Sequence, residues 1–358
     1  MHSVRHRQIS KLTQQALLLL ACLTCTLTCA PVANVRANTH AETSVHLARE
    51  VPAPADHVVL LTTDGVRWQD VFSSRGAREL PTLNRLSLRD GATIGAPGSN
   101  SAITASGPAY VSLPGYREML SGHASGACQA NDCNAPTEAG LVEEMSGADP
   151  GEVAVFSSWG TVGDALTHDA NAVVSAGKKY LLGEPELARV GLLGAWQDAQ
   201  AVASTPGWGT YRPDTQTAAL ALEFLERRAP RFLFLSLGDT DEYAHQGKQE
   251  DYWRALANFD RTVAAVERKL EEYASRGERT LLIVTTDHGR ADNFAEHGPK
   301  FPESSRVWLI ASGSLVQARG MIESPSVRHL RDIAPTVLLA SGYAPNASHE
   351  GEPLLELF

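Results

Sequence analysis

The hydrophobic and polar positions of this chain follow two patterns that alternate along its length. Short continuous apolar runs predict strands that are buried on both faces, and they are His57–Thr63, Glu152–Phe156, Phe232–Leu237, Leu281–Thr286 and Val307–Ala311. Segments with helical spacing separate them, and they are Pro81–Arg89, Ser112–Leu120, Glu138–Met145, Asp214–Arg228, Glu250–Ala274 and Val327–Ala340. Strands that alternate with helices predict an α/β fold with a mostly parallel central sheet and helices on both faces.

The first 37 residues do not fit this alternation. They contain basic residues, Arg5, Arg7 and Lys11 among them, and no acidic one, and the stretch 16–30 is uncharged and mostly apolar. That stretch is shorter than the roughly 20 residues that span a bilayer, so residues 1–37 are predicted to be a signal peptide rather than an uncleaved anchor. Residues 38–56 are then expected to be a flexible lead-in, and 57–358 a single domain that is periplasmic or secreted.

Composition and charge narrow the class of protein. Of 358 residues, 43% are hydrophobic, which provides a large core and excludes a disordered chain. The formal net charge of −10 becomes −14 when the four basic residues of the signal peptide are removed. Such an acidic chain is not expected to have a nucleic-acid binding surface. No other apolar run has membrane length, so no stable membrane insertion is expected after signal cleavage.

Cysteine usage agrees with export. Three of the five cysteines, Cys22, Cys25 and Cys29, lie in the predicted signal peptide. The remaining two, Cys128 and Cys133, have four residues between them, and in an exported protein a disulfide is the natural prediction. A metal site built on these two thiols is the weaker alternative, because no further cysteine is available to complete it.

Candidate chemistry lies where three of the predicted strands end. The residues that could bind metal there are Asp64, Asp241 with His245 four residues later, Asp287 with His288, and His297. The carboxyl ends of parallel strands meet at one edge of a sheet, so these side chains can converge. Carboxylate and imidazole are suitable zinc ligands, and three Asp with three His could hold two divalent ions. Each residue alone is as well explained by a cap or a turn; the ordered set is more specific.

Four short motifs of this chain, in this order, resemble those of the alkaline phosphatase superfamily. They are Asp64-Gly65, Asp241-x-x-x-His245, Asp287-His288-Gly289 and His297-Gly298. The nearest likeness is to its type I phosphodiesterase/nucleotide pyrophosphatase and phosphopentomutase-like branches, over residues 57–342. The resemblance implies an alkaline-phosphatase-like fold and a two-metal hydrolase of phosphate monoesters or diesters, with a small-molecule phosphate ester as substrate. Only residues 113–240 separate the expected nucleophile from Asp241, so no large inserted cap domain is expected.

The resemblance also implies a serine or threonine nucleophile at a helix N-terminus between the first Asp and Asp241. Ser112 fits, because it precedes Pro114 and would cap a helix whose N-terminus attracts phosphate. A phosphoserine intermediate on Ser112 is therefore expected. The rival hydroxyl residues, which do not precede a proline in this way, are Ser101, Thr104 and Ser106.

The metal ligands follow from the same resemblance. One ion is expected on Asp241, His245 and His297, with His349 as the alternative third ligand. The other ion is expected on Asp64, Asp287, His288 and the oxygen of Ser112. Histidine-rich ligation and export favour zinc, and manganese is the alternative.

Two asparagines beside the predicted disulfide, Asn131 and Asn134, are candidate donors to a phosphoryl oxygen. Arg117 and Arg290 are candidate cations for the extra charge of a monoester.

Two further functions stay open. A sulfatase is disfavoured because Tyr116 stands where the sulfatase Cys/Ser-x-Pro-x-Arg motif requires arginine. A non-catalytic exported metal-binding protein is the other alternative. Such a protein would be expected to lack a metal ligand or the nucleophile, and this sequence contains candidates for all of them. The oligomeric state is not predicted.

Overall fold

Strands in the described part of the chain form two sheets. In chain order they are β1 (His57–Thr63), β2 (Ala92–Ile94), β3 (Ile103–Thr104), β4 (Val153–Ser157), β5 (Val173–Ala176), β6 (Phe232–Leu237), β7 (Thr280–Thr286), β8 (Arg306–Val307), β9 (Leu309–Ser312), β10 (Gly320–Met321) and β11 (Arg328–His329). The computed structural model describes residues 53–146, 153–167, 171–200, 206–207, 209–324 and 326–358. The predicted signal peptide, its three cysteines and most of the lead-in lie outside these residues.

The larger sheet has eight strands in the order β10-β2-β9-β7-β1-β6-β4-β5. Its centre is parallel: Val58 of β1 is paired with Phe232 of β6 on one side and with Leu281 of β7 on the other. Only β9 is antiparallel to its neighbours β2 and β7. The prediction of a mostly parallel central sheet is confirmed.

Helices cover both faces of this sheet. They are α1 (Trp68–Val71), α2 (Ser74–Glu79), α3 (Pro81–Arg85), α4 (Ser112–Ser121), α5 (Leu141–Met145), α6 (Glu184–Val190), α7 (Leu193–Gln200), α8 (Asp214–Arg228), α9 (Asp239–His245), α10 (Gln249–Ser275) and α11 (Ile333–Ala340). Side chains of β1 alternate between two cores. Val58 and Leu60 pack on the side of α4 and α11, and Val59 and Leu61 on the side of α8 and α10.

The helix predicted over Glu138–Met145 begins only at Leu141, and Pro81–Arg89 is α3 followed by a π-helical turn at Leu86–Asp90. Two other predicted elements differ more. The run Val307–Ala311 is not one strand, because Trp308 separates β8 of the three-stranded sheet from β9 of the central sheet. The buried Trp308 indole donates to the carbonyl oxygen of Val66, which fixes this break. The segment Val327–Ala340 becomes helical only at Leu330, as a 3-10 turn that leads into α11. Before it, β11 pairs with β3.

The topology places the candidate chemistry at one edge. Strands β7, β1 and β6 are adjacent and parallel, so the residues that follow them, Asp287, Asp64 and Asp239, leave the sheet at the same end. The stretch 113–240 supplies β4, β5 and β6 to the central sheet, so much of it is used in the core. No helix among the described residues is long and apolar enough to cross a membrane.

Candidate active site

Asp64, Asp287 and His288 form a fully buried group whose ligand atoms lie within 4.8 Å of one another. The backbone N–H of Gly65 donates to Asp287 Oδ1 at 3.0 Å, whereas the buried Asp287 Oδ2 has no hydrogen-bond partner among the described residues. Nδ1 of His288 is 2.7 Å from the carbonyl oxygen of Gly289, which makes it the donor. Nε2 is thus left facing Asp64 Oδ1 and Asp287 Oδ2, at 3.4 Å from each.

A second group consists of Asp241, His245 and His297. Asp241 and His245 are one helical turn apart on α9, and His245 Nε2 lies 3.1 Å from Asp241 Oδ2. His297 Nε2 is 3.0 Å from His245 Nε2 and 3.7 Å from Asp241 Oδ1. Its Nδ1 lies 3.0 Å from the carbonyl oxygen of Tyr110, which orients the ring. Two imidazole nitrogens and a carboxylate therefore face one point.

The two groups are in contact with each other. The rings of His288 and His297 stack with centroids 4.0 Å apart. Asp241 reaches towards the loop after β1, where a Cβ on Gly65 would lie 2.5 Å from Asp241 Oδ1. Gly65 also has a φ of +61°, so glycine is required there on both grounds. The arrangement fits two neighbouring cation sites.

Electrostatics support divalent cations at these groups. Burial, and then the charge of Asp64, raise the pKa of Asp287 well above its usual range. Burial lowers the pKa of His288, but Asp287 and Asp64 outweigh that effect and raise it to about 9. Burial and the neighbouring His288 lower the pKa of His297 to about 3, so its ring is neutral. An unpartnered carboxylate oxygen and a neutral imidazole are the donor set that a divalent metal requires.

Ser112 is the first residue of α4 and lies between the ligands. Its hydroxyl donates to Asp64 Oδ1 at 3.2 Å and is 3.3 Å from His288 Nε2. The expected N-cap role of Ser112 is wrong, because the N-cap position is Val111. The hydroxyl instead faces the metal-ligand group, and the N–H of Leu113 is satisfied by Asn131 Oδ1 at 3.0 Å.

The loop that contains Asn131 is closed by a Cys128–Cys133 disulfide, with the Cα atoms 5.5 Å apart. A cavity of about 220 Å³ lies beside Ser112, and its lining residues are Asp64, Ser112, Asn131, Trp159, Tyr211, Gly238, Asp241, Glu242 and His245. Because Asn131 Oδ1 accepts from Leu113, its amide nitrogen is the group left to donate into this cavity. Asn134 is exposed and does not line it.

Asn131→Ala is expected to lower kcat/KM for a phosphate ester by about 10- to 100-fold, because one donor to the phosphoryl oxygen is lost. Asn134→Ala, directly after the disulfide-closed loop, is the matched control and should leave kcat/KM unchanged. Steady-state kinetics of both variants on one aryl ester make the comparison. Equal effects at the two positions would show that Asn131 acts only through the loop.

The alternative site residues lie elsewhere. Among the rival nucleophiles, the hydroxyl of Ser101 bonds to Gly95 and Ser99, that of Thr104 to His329, and that of Ser106 to Glu118. His349 is beside Glu144 and His123, so His297 and not His349 completes the second group. Arg117 donates to the carbonyl oxygen of Asp164, and Arg290 to Asp241 and the carbonyl oxygen of Gly65. Neither arginine lines the cavity.

The sequence pattern did not reveal Tyr116, one helical turn after Ser112 on α4. Its fully buried hydroxyl donates to Asp64 Oδ2 at 3.1 Å and accepts from Ser236 Oγ at 3.0 Å. The helix that carries Ser112 therefore also positions Asp64. The spacing of four residues from Ser112 was the available signal, because residues so spaced share a helix face.

Tyr116→Phe is expected to weaken metal binding by about 10- to 100-fold, the usual effect of removing a partner that orients a ligand. Competition with a chromogenic chelator measures this affinity directly. Tyr252→Phe is the matched control, because its equally buried hydroxyl donates to Asp70 Oδ2 at 2.8 Å, away from the ligand groups. Unchanged affinity in Tyr116→Phe would contradict the positioning role.

Comparisons with known proteins agree with this geometry. Residues 197–345 match the family described as the Metalloenzyme superfamily. A phosphopentomutase of Symbiobacterium thermophilum is 35% identical over 85 residues, which are 22% of this chain and 20% of that protein. The match therefore spans about a fifth of the relative's length.

Solved structures extend the likeness to the whole fold. The alkaline phosphatase PafA superposes with a TM-score of 0.63 at 11% identity, over 85% of this chain and 99% of that one. The phosphonate monoester hydrolase of Agrobacterium radiobacter gives 0.55 at 18% identity, over 84% and 77%. A 2-O GAG sulfatase, BT1596, gives 0.54 at 14%, over 84% and 73%. The expected alkaline-phosphatase-like fold is confirmed by these superpositions.

Proposed function

We propose that this chain is an exported, metal-dependent hydrolase of phosphate esters that uses Ser112 as its nucleophile. The observation that carries the proposal is the position of the Ser112 hydroxyl, within 3.3 Å of two residues of one ligand group and beside the cavity that the second group lines. Two divalent ions are the proposed cofactors, most simply zinc, with manganese as the alternative. When bound, such ions polarise phosphoryl oxygens and lower the pKa of a neighbouring hydroxyl.

The residues of the site have distinct roles in the proposed reaction. Asp64, held by Tyr116, and His288 fix the position of the Ser112 oxygen. Asn131, which also lines the cavity, orients the phosphoryl group. Arg290, fully buried, donates to Asp241 and so keeps that carboxylate ionised and aimed at His245. The Arg290 guanidinium and His245 hold the pKa of Asp241 well below its usual range despite burial.

The proposed reaction needs no co-reactant other than water. Ser112 loses its proton to solvent, its oxygen bonds to phosphorus, and the bond from phosphorus to the leaving alcohol oxygen breaks. The alcohol oxygen takes a proton from water. A second water then attacks the phosphorylated serine, the Ser112–phosphorus bond breaks, and the serine oxygen regains a proton.

A sulfatase is the second candidate, favoured by the sulfatase among the structural neighbours. The position that would require arginine is Tyr116, whose hydroxyl is engaged by Asp64 and Ser236. Turnover of an aryl phosphate, its methyl diester and the aryl sulfate by the metal-loaded protein separates the two. Phosphate ester turnover without sulfate turnover is expected, and sulfate turnover alone would overturn the proposal.

We also propose that the enzyme acts in the periplasm or outside the cell. The Cys128–Cys133 bond supports an oxidising compartment. The predicted signal peptide lies outside the described residues. Cell fractionation and N-terminal sequencing test this placement, with Asn38 expected as the first residue and a cytoplasmic full-length chain as the contrary result.

A further inference from the structure

Glu242 is a carboxylate of the cavity beside Ser112 that neither ligand group uses. It follows Asp241 on α9, is half-buried and lines the cavity. No described residue forms an ion pair or a side-chain hydrogen bond with it, whereas Asp241 has Arg290 and His245. A carboxylate that faces a substrate cavity without a partner among the described residues is free to act on the substrate's charge.

Outside the two ligand groups, the described lining of this cavity contains no cationic side chain that would favour a second negative charge on the substrate. Neither Lys nor Arg is among its lining residues. The positions within 53–358 that the structure does not describe also contain neither Lys nor Arg. Beyond the two ligand groups, Asn131 is the amide donor. His245, a proposed metal ligand, is the basic side chain that lines the cavity together with Glu242; outside the ligand groups, no described lining residue offsets the charge of Glu242.

Two aromatic side chains form another part of the wall. Trp159 and Tyr211 are paired through an antiparallel β-bridge, and both line the cavity. The hydroxyl of Tyr211 donates to Asp239 Oδ1 at 2.6 Å, which holds the ring in place. Aromatic rings beside a carboxylate suit an apolar or a cationic substituent and give an anionic one no favourable contact.

We propose that Glu242 sets the substrate class: a phosphodiester whose phosphoryl group carries a single negative charge and whose second alcohol is uncharged or cationic, placed against Trp159 and Tyr211. This inference rests on the proposed ester hydrolase function. A monoester dianion brings an additional charge into a cavity where the carboxylate of Glu242 repels it. Glu242 lines a cavity of only about 220 Å³, so its charge acts directly on a phosphoryl group bound there.

The test compares two substrates that differ in charge, an aryl phosphate and its methyl diester, with metal-loaded wild type and Glu242→Gln at mildly alkaline pH. Wild type should prefer the diester. Glu242→Gln should shift the ratio of kcat/KM values towards the monoester by about 10-fold or more, since one full charge is removed within the cavity. A choline diester and its uncharged carbon isostere add a second comparison, in which Glu242→Gln should lose any preference for the cation.

A measurement that needs no turnover keeps the inference testable if the variant is slow. Inhibition of wild type and variant by phenylphosphonate, a dianion, and by its methyl ester, a monoanion, should show the same shift. Glu271→Gln, which removes an exposed charge on α10, is the control. Wild type that prefers the monoester, an unchanged ratio in Glu242→Gln, or an equal shift in Glu271→Gln would overturn the inference alone. Wild type that hydrolyses neither ester would overturn the proposed function with it.

Discussion

Ser112→Ala should reduce the hydrolysis of any phosphate ester by at least about 10³-fold, because the variant has no oxygen to form the covalent intermediate. The fold should change little. Ser112 does not cap α4, since Asn131 accepts the hydrogen bond from Leu113, and alanine is well tolerated at the first helical position. Loss of activity with an unchanged melting temperature would therefore show that Ser112 acts in the reaction and not in folding.

The control is Ser101→Ala. Ser101 is as buried as Ser112, but its hydroxyl bonds to Gly95 and Ser99 rather than to the ligand groups. This variant should keep wild-type kcat even if it loses some stability. Full activity in Ser112→Ala, or equal losses in the two variants, would remove Ser112 from the mechanism.

Asp287→Asn should have opposite effects on stability in the metal-loaded and metal-free protein. The folded-state pKa of Asp287 is raised, so the metal-free wild type loses stability as pH rises from the unfolded-state pKa through the folded one. Asparagine removes that penalty, and at neutral or higher pH the metal-free variant should melt above metal-free wild type. In the presence of metal the order should reverse, because a ligand at 100 times its Kd stabilises by about 2.7 kcal/mol and the variant binds it poorly.

Thermal melts with and without chelator, metal content and turnover test this prediction together. The variant should also lose at least about 10³-fold in turnover, since one of the two metal positions is impaired. Asp164→Asn, at an ion pair with Lys179 outside the ligand groups, is the control and should bind metal normally. A variant that melts below wild type both with and without metal would show that the Asp287 carboxylate stabilises the fold itself, which would contradict its role as a metal ligand.

Much of the site could be predicted because the metal-type residues directly follow continuous apolar strands. Parallel pairing of β7, β1 and β6 then brings Asp287 and Asp64 to one edge of the sheet, independently of the conformation of the connecting loops. His297 is fixed differently, by a contact with the carbonyl oxygen of Tyr110. Its selection over His349 depends on tertiary structure that no local pattern encodes.

The remaining features depend on contacts between distant segments. The capping of α4 by Asn131 and the hydrogen bond from Tyr116 to Asp64 join residues that are 18 and 52 positions apart. The apolar pattern did not predict the strands β2, β3, β5, β10 and β11 or the helices α1, α2, α6 and α7, because short elements carry weak periodicity. Trp308 interrupts an apolar run through a hydrogen bond to Val66, and hydrophobicity alone does not predict such a break.

The most direct test of the central claim is chemical identification of the covalent intermediate. The metal-loaded protein is mixed with excess phosphate ester, quenched with acid during turnover, and mapped by peptide mass spectrometry. We predict one phosphoryl group on the peptide that contains Ser112, absent from Ser112→Ala and from a sample quenched before substrate is added. Continued hydrolysis with Ser112 unmodified, or a phosphoryl group on another residue, would contradict the mechanism.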